Sequence, residues 1–339
     1  MKIMIATSGV PFLRGDAEIL ADNLLEALSE AGHEVELAVI PFKDYPPGRI
    51  PDQMLACRLL DLTETNGARI DRLIGLRFPA CLIPHPHKVI WLRHEPEAAG
   101  LMDCPDGPVI REAIRQAKCA LIPEAKAVYA LSQNVAGRLR RDCGIGSEPL
   151  YHPPANAHLF YKSSPDDYLF FPNPIHSANR QWLTIQAMAQ CRERVRMRFA
   201  GEPGSLTGQA EWVNAIRKFK LSDRIEWLGT VAEEQRRDLY AHCLGVVFAP
   251  VDEDYGYATL EAMLSSKAVI TCSDAGGPLE FVAAQQTGLV AEPTPESLAQ
   301  AMDLLWADRR NTAAMGEAGR ARYQDLHISW AHVVERLLC

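Results

Sequence analysis

In the segment Glu253-Asp254-Tyr255-Gly256-Tyr257-Ala258-Thr259-Leu260-Glu261, two carboxylates lie eight positions apart on either side of a glycine. The apolar run 244–251 before it predicts a buried strand, and the apolar periodicity of 258–264 predicts a helix. The stretch is therefore predicted to be a loop at the carboxyl end of a strand, followed by the first turns of a helix. Open α/β sheets bind their ligands at such loops.

The residue types in this stretch suggest what the ligand is. Backbone N–H groups at a helix start favour an anion such as a phosphate. Glu253 and Glu261 would repel a phosphate, but they can accept hydrogen bonds from sugar hydroxyls. A phosphate site beside two hydroxyl acceptors suits a nucleotide sugar. The alternative, from spacing alone, is that both glutamates are solvated charges near a helix end.

A longer run, 245–290, resembles the signature of the retaining GT-B glycosyltransferases of family 4, within the glycosyl transferases group 1. Its matching segments are the Glu-x7-Glu stretch itself, Ala262-Met263-Leu264, Lys267-Ala268-Val269-Ile270-Thr271, Gly276-Gly277-Pro278-Leu279-Glu280-Phe281-Val282 and Gly288-Leu289-Val290. The resemblance implies the α/β GT-B fold, with two doubly wound Rossmann-like domains facing a central cleft. It also implies that the nucleotide sugar binds to the second domain and the acceptor to the first.

Composition sets limits on the class of protein. The chain has 339 residues, enough for two domains, and a net charge of −8, which argues against a partner that is a nucleic acid. Nine cysteines without a Cys-x-x-Cys pair predict reduced thiols in a cytoplasmic protein. The N-terminus is too short for a signal h-region, and no apolar run approaches the roughly 20 residues of a membrane span. Membrane contact is therefore expected only peripherally, at the inner face.

Alternating strand and helix patterns predict the domain boundaries. Residues 1–150 form the N-terminal acceptor domain, and the proline-rich residues 151–167 form a linker. Residues 168–325 form the nucleotide-sugar domain. Residues 326–339 form a C-terminal helix that crosses back to the first domain, as the resemblance implies.

The chain opens with a predicted strand at 2–7, a loop, a helix from Ala17 and a second strand. The loop residues Gly15-Asp16-Ala17-Glu18 resemble the Gly-Gly-Ala-Glu loop of the family, with Asp16 in place of the second glycine. The resemblance assigns Gly15 to donor binding, although a carboxylate at Asp16 would oppose a phosphate. A single glycine in such a loop can also be only a turn residue.

Histidine residues in the first domain offer one catalytic candidate and one weak metal candidate. The predicted strand 88–94 ends at His94, and the resemblance places a histidine after this strand against the reacting sugar. The alternative is a hydrogen-bonded histidine at a strand end. His85 and His87 flank a proline without a nearby third ligand, so no metal site is predicted.

A predicted helix after Ser132 carries three arginines, Arg138, Arg140 and Arg141. They could meet an anionic lipid surface or a diphosphate-linked acceptor. We expect a solvated basic face instead.

The sequence departs from the family where the diphosphate should bind. Family members carry Gly-Arg after the first strand of the second domain, and a lysine five residues after that arginine. The matching positions here are Asn173-Pro174 and Asn179, and the nearest basic residue is Arg180. Each lost charge-assisted contact costs about 1.5–3 kcal/mol of binding free energy.

By resemblance, Glu253 acts in catalysis by holding hydroxyls of the donor sugar, and Glu261 holds the nucleotide ribose. Backbone N–H groups at the helix start meet the diphosphate. The predicted donor-binding set is Gly15, Arg180, Gly256, Tyr257, Ala258, Thr259 and Glu261. The donor is a UDP- or GDP-linked sugar, with no separate cofactor and no metal.

Three functional hypotheses follow. The first is a retaining glycosyltransferase that moves a hexose to a glycan or lipid-linked acceptor in cell-surface polysaccharide synthesis. The second, motivated by Pro174 and Asn179, is a catalytically silent GT-B protein that binds a nucleotide sugar or a partner enzyme. The third is a GT-B sugar-nucleotide epimerase, for which the sequence shows no additional acid and base residues.

Overall fold

A computed structural model describes residues 1–13, 15–93, 104–174, 177–201, 214 and 216–339. The chain divides into two compact units. Unit 1 comprises Met1–Ala155 and Ser329–Cys339, and unit 2 comprises Asn156–Ile328. The division lies between Ala155 and Asn156, inside the stretch that the sequence predicts to be a linker.

The strands are β1 Lys2–Gly9, β2 Glu34–Pro41, β3 Glu64–Thr65, β4 Ala68–Arg69, β5 Arg72–Gly75, β6 Lys88–Leu92, β7 Ala127–Ala130, β8 Glu148–Pro149, β9 Leu169–Phe171, β10 Met197–Phe199, β11 Ile225–Trp227, β12 Gly245–Val247, β13 Ala268–Cys272 and β14 Gly288–Ala291. The α-helices are α1 Asp16–Glu30, α2 Ile50–Leu59, α3 Gly107–Leu121, α4 Gln133–Cys143, α5 Gln181–Gln190, α6 Glu233–His242, α7 Tyr257–Leu264, α8 Pro278–Phe281, α9 Pro295–Ala307, α10 Arg309–Asp325 and α11 Trp330–Leu338.

Each unit is built on one six-stranded parallel sheet. The order in unit 1 is β2-β1-β5-β6-β7-β8, and the order in unit 2 is β11-β10-β9-β12-β13-β14. Numbered along the chain, the strands of unit 2 follow the order 3-2-1-4-5-6 of a doubly wound dinucleotide-binding sheet. The predicted α/β class with two doubly wound units is confirmed.

Both faces of the unit 2 sheet are covered, which explains why its strands are short apolar runs rather than alternating patterns. In β9, Leu169 and Phe171 contribute to one buried cluster, and Phe170 contributes to another. All three side chains are fully buried. Hydrophobic burial on both faces therefore holds β9 at the centre of the sheet.

The helix α11 packs against unit 1, to which the contacts of Ser329–Cys339 belong. The Trp330 ring lies 6.3 Å from Trp91 of β6 and 5.6 Å from His152. The Arg72 guanidinium donates to three carbonyl groups at the end of α11, which have no partner within the helix. Aromatic packing and an arginine at the C-terminus of α11 therefore hold this segment against the rest of unit 1.

Several local features differ from the sequence predictions. A hairpin, β3–β4, was missed despite its Asn66-Gly67 turn, a strong hairpin signal with both residues at positive φ. The short strand β8, which pairs with β7, was missed as well. The strand predicted over 244–251 is shorter in the structure, where β12 spans Gly245–Val247. Arg138 is buried, so the expectation of a solvated basic face is wrong for that arginine.

Candidate functional site

The order in which the chain adds strands to the unit 2 sheet reverses between β9 and β12. The chain runs outward from β9 to β10 and β11 on one side, and then from β12 to β13 and β14 on the other. Ligands bind outside the carboxyl ends of the strands at such a switch point. The loops that follow β9, β12 and β13 are therefore the candidate site, and Glu253 lies in the middle loop.

Backbone hydrogen bonds join these three loops. Residues 251–253 donate their N–H groups to the loops on either side, and Glu253 also accepts one bond. The four bonds are Val251 N–H to Ala178 O at 2.8 Å, Asp252 N–H to Asp274 O at 3.0 Å, Glu253 N–H to Ala275 O at 2.8 Å and Gly277 N–H to Glu253 O at 2.8 Å. The loop after β13 therefore holds both the N–H and the carbonyl group of Glu253, and Val251 ties the same segment to the loop after β9. A residue that positions a substrate needs such a fixed backbone.

Two glycines let the second and third loops approach each other. Gly256 has a φ of +95°, and a Cβ there would lie 2.8 Å from Cγ of Pro278. A Cβ on Gly277 would lie 2.8 Å from the carbonyl oxygens of Asp254 and Tyr255. Only glycine fits either position without movement of the other loop.

The helix α7 starts at this junction. Its N-cap residue is Gly256, which has no side chain to cap the helix, and the first turn from Tyr257 carries no acidic residue. The ring of Tyr255 is buried and lies 5.5 Å from Phe281, which anchors the loop below the helix start. An uncapped helix start of this kind is suited to an anion. Ala258 and Thr259 are buried in this same turn.

Glu261 lies one turn further along α7, with its side chain only 4% exposed. Arg236 of α6 supplies its counter-charge: Nη1 lies 3.0 Å from Oε1 and 3.1 Å from Oε2. Arg236 Nη2 also donates to Glu233 at 2.8 Å. Burial is the largest single influence on Arg236 and opposes its charge, but Glu261, Tyr240 and Glu233 together outweigh it and hold the pKa of Arg236 above its usual value.

The sequence reasoning missed Arg236. A buried carboxylate signals that it needs a partner. Nothing in the spacing, however, identifies a residue on another helix, 25 positions earlier, as that partner.

The loop after β9 holds Arg180, the predicted phosphate ligand. Arg180 makes a bidentate ion pair with Asp274, with Nη1 2.6 Å from Oδ1 and Nη2 2.5 Å from Oδ2. Hydrogen bonds from Arg180 lower the pKa of the Asp274 carboxyl. The Arg180 side chain is 15% exposed and that of Asp274 is 44% exposed. The positive charge is present at the site but already has an anionic partner.

The two substituted positions have structural roles in the same loop. Asn179 donates from Nδ2 to the Pro174 carbonyl at 2.9 Å. The backbone of Pro174 packs against Gly201 at the end of β10, where a Cβ would come within 2.5 Å of Pro174 Cα. Asn179 and Pro174 thus shape the loop, and neither supplies the charge that the family pattern has there.

The predicted residues of unit 1 have a different setting. Gly15 is the N-cap of α1 at a φ of −145°, and its N–H donates to Glu18 Oε2 at 2.9 Å. Arg77 lies 3.2 Å from Oε1 of the same glutamate. His94, the predicted catalytic histidine, lies outside the described residues. The roles of Gly15 and His94 stay predictions.

The weak metal candidate consists of two histidines with other partners. The ring of His85 lies 3.3 Å from the Ile70 carbonyl, and Nδ1 of His87 lies 2.6 Å from Lys126 Nζ. In the described part of the chain, no cluster of three or more histidine, cysteine, aspartate or glutamate residues is arranged to hold a metal ion.

Comparison of sequences finds similarity to known proteins in unit 2. Residues 162–322 match the family model of the glycosyl transferases group 1. Alpha-1,3/1,6-mannosyltransferase ALG2 of Dictyostelium discoideum is 33% identical over 141 residues, which are 40% of this chain and 33% of that protein. The match thus spans about a third of this relative's own length. These matches support a glycosyltransferase of group 1.

Comparison of structures defines the fold. The crystal structure of Anabaena HepE in complex with UDP and glucose has a TM-score of 0.73 at 18% identity, over 100% of this chain and 98% of that chain. Sucrose-phosphate synthase from Thermosynechococcus elongatus has a TM-score of 0.77 at 19% identity, over 99% and 97%. With two parallel-sheet α/β units, the chain has the GT-B fold.

Proposed function

We propose that this protein is a retaining, metal-independent glycosyltransferase of family 4. It transfers a sugar from a UDP- or GDP-linked donor to a glycan or lipid-linked acceptor in cell-surface polysaccharide synthesis. The observation that carries the proposal is the arrangement at the switch point of unit 2. There, Glu253 lies in a fixed loop, the α7 start is uncapped, and Glu261 is buried one turn further on.

Each part of this arrangement has a role in the transfer. Glu253 accepts hydrogen bonds from hydroxyls of the donor sugar and orients its anomeric carbon. The N–H groups at Gly256 and Tyr257 stabilise the charge that grows on the leaving diphosphate. Glu261 accepts from the ribose. The bond from the anomeric carbon to the phosphate oxygen breaks, and its electron pair leaves with the diphosphate. The acceptor oxygen forms a new bond to the anomeric carbon on the same face, and its proton passes to the leaving phosphate oxygen.

The comparisons set the order in which donors are tested. The matched relative is named a mannosyltransferase, so mannose linked to GDP or UDP comes first. The HepE complex contains UDP and glucose, so glucose linked to UDP comes next. We place the reaction in the cytoplasm, with peripheral contact to the membrane if the acceptor is lipid-linked. Among the described residues, no helix combines the length and apolar character that crossing a bilayer requires.

The test is donor hydrolysis and sugar transfer with this panel, comparing wild type with Glu253→Gln. The variant keeps the shape of the side chain and removes its charge, so we expect activity to fall by about 100-fold, the scale of a lost electrostatic contact in catalysis. Glu234→Gln, an exposed position on α6, is the control and should keep full activity. Equal activity of wild type and Glu253→Gln would contradict the role of Glu253.

A second candidate function is a silent GT-B protein that binds a nucleotide sugar without turning it over. The pairing of Arg180 with Asp274, together with the residues Pro174 and Asn179, favours it. Calorimetry with UDP and GDP together with the transfer assay separates the two candidates, because binding without turnover on any acceptor supports the silent protein. Activity gained in a Pro174→Arg, Asn179→Lys double variant would support it further.

A further inference from the structure

The contact between α6 and α7 carries an inference about specificity. Nη1 of Arg236 lies at nearly equal distances from the two carboxylate oxygens of Glu261, 3.0 and 3.1 Å. The opposite nitrogen, Nη2, is held by Glu233 at 2.8 Å. The guanidinium is therefore fixed at both ends, and so is the carboxylate that it contacts.

We propose that Arg236 is a positioning residue for recognition of the donor's ribose, acting through Glu261. The inference rests on the proposed function, in which Glu261 binds the ribose of a nucleotide diphosphate. It deepens that function by making the vicinal 2′,3′-diol a required part of the ligand. Arg236 itself does not touch the substrate.

The chemistry of a carboxylate supports this role. A carboxylate has about four lone-pair directions on two oxygens, and two neighbouring hydroxyls can each donate to one oxygen. Such a match requires that the carboxylate stays ionised and cannot rotate. Glu261 is 4% exposed, so water solvates its negative charge poorly. Arg236 instead supplies the positive counter-charge and restrains the plane of the carboxylate.

The surroundings favour the same reading. Tyr240 of α6 is fully buried beside this pair, and its pKa is raised by burial and by the negative charge of Glu261. Tyr240 of α6 and Ala258 and Ala262 of α7 belong to one buried apolar cluster, and such low-polarity surroundings strengthen the interaction between two charges.

The experiment measures ribose preference directly. Calorimetry with the full chain compares UDP and GDP with their 2′,3′-dideoxy counterparts, for wild type and four variants. These are Arg236→Gln, Arg236→Lys, Glu233→Gln and, as control, Arg237→Gln, the same change at the next position of α6. Thermal unfolding of each variant is measured in parallel.

We expect wild type to bind the ribonucleotide 10- to 100-fold more tightly than the dideoxy analogue, the range for charge-assisted hydrogen bonds. Arg236→Gln should lose most of this preference, with dideoxy affinity within about threefold of wild type. Arg236→Lys should keep part of the ribose preference, since the positive charge remains but the planar guanidinium that contacts both Glu261 and Glu233 is lost. Arg237→Gln should keep all of it. In transfer assays, Arg236→Gln should raise KM more than it lowers kcat.

Two results would overturn the inference while leaving the proposed function intact: a full ribose preference in folded Arg236→Gln, or equal loss of affinity for both nucleotides. Wild type that binds no nucleotide would contradict the proposed function itself, and the inference with it. If Arg236→Gln does not fold, the ribose preferences of Glu233→Gln and Arg236→Lys test the role of Arg236 instead. At least one should reduce the preference by about two- to fivefold, as a weakened charge-assisted contact does, and no change in either contradicts the role of Arg236.

Discussion

The N-termini of α1 and α7 have similar positions relative to the sheets of their units, but their first turns differ in charge. Each helix follows a strand that borders the switch point of its sheet, β1 in unit 1 and β12 in unit 2. Both have a glycine as the N-cap residue. In α1 the first turn contains Asp16 and Glu18, and Glu18 accepts from the Gly15 N–H. In α7 the first turn contains no acidic residue.

This difference shows that topology alone does not make an anion site. The partial positive charge at the start of α1 is already met by two carboxylates of the same helix, which stabilise it and would repel a phosphate. The start of α7 has no such internal partner, and its glycine is required by both backbone conformation and close packing. We therefore expect the diphosphate of the donor at α7.

The largest expected effect comes from changing the glycine of α7. Gly256→Ala forces a non-glycine residue into a φ of +95° and places a Cβ 2.8 Å from Pro278 Cγ. We expect the free energy of unfolding to fall by about 2–4 kcal/mol, from backbone strain and overpacking. Affinity for UDP or GDP should fall by at least about tenfold, as with the loss of a charge-assisted contact. Urea denaturation and calorimetry measure the two effects.

Gly15→Ala is the matched change in α1. The φ of Gly15 is −145°, and a Cβ there would lie 3.7 Å from Glu18 Oε2, an ordinary contact. We expect the free energy of unfolding to change by less than about 1 kcal/mol, since the loss of an N-cap glycine and the stiffer unfolded chain oppose each other. A loss as large as that of Gly256→Ala would show that the two glycines are equally constrained.

Arg180, the cation in the loop after β9, is the next residue to change. Arg180→Gln removes the basic side chain of the loop after β9 and leaves the negative charge of Asp274 uncompensated. Affinity for UDP or GDP should fall by about tenfold, the lower end of the range for a charge-assisted contact. Arg194→Gln, which breaks an exposed arginine–aspartate pair at the other edge of the same sheet, is the control and should have no effect. Unchanged affinity in Arg180→Gln would remove Arg180 from the donor site.

The third prediction tests whether Asp274 competes with the diphosphate. Asp274→Asn frees Arg180 and removes a negative charge from the loop after β13. We expect three- to fivefold tighter binding of UDP or GDP, a modest effect because Asp274 is 44% exposed and partly screened. Weaker binding would mean instead that Asp274 orients Arg180 toward the ligand.

The sequence predicted local features better than pairings between distant residues. The α7 start was predicted because the apolar strand, the glycine and the helical periodicity are adjacent in the chain. Arg236 was not, because α6 carries Arg236 and Arg237 in succession and the sequence does not tell which of them faces α7. The ion pair of Arg180 with Asp274 was missed for the same reason, since it joins loops 94 residues apart.

Removing an acidic charge from the first turn of α1 should have a small effect, and it tests directly whether α1 and α7 differ in anion binding. Glu18→Gln weakens the bond to the Gly15 N–H and the contact with Arg77, both partly exposed. The free energy of unfolding should fall by about 0.5–1 kcal/mol, as for other half-exposed ion pairs and helix caps. If the diphosphate binds at α7, affinity for UDP or GDP should change by less than about twofold, because the removed charge is screened from it.

The sequence resemblance predicts a different outcome for the same variant. If Gly15 binds the donor, the carboxylate of Glu18 lies beside the phosphate and repels it, since its Oε2 is 2.9 Å from the Gly15 nitrogen. Removing that charge would then tighten binding by more than about threefold, at least 0.6 kcal/mol. Calorimetry of Glu18→Gln against wild type at low and high salt therefore decides whether the start of α1 takes part in donor binding. Only an effect that shrinks with added salt supports a role for α1, because screening weakens repulsion between exposed charges.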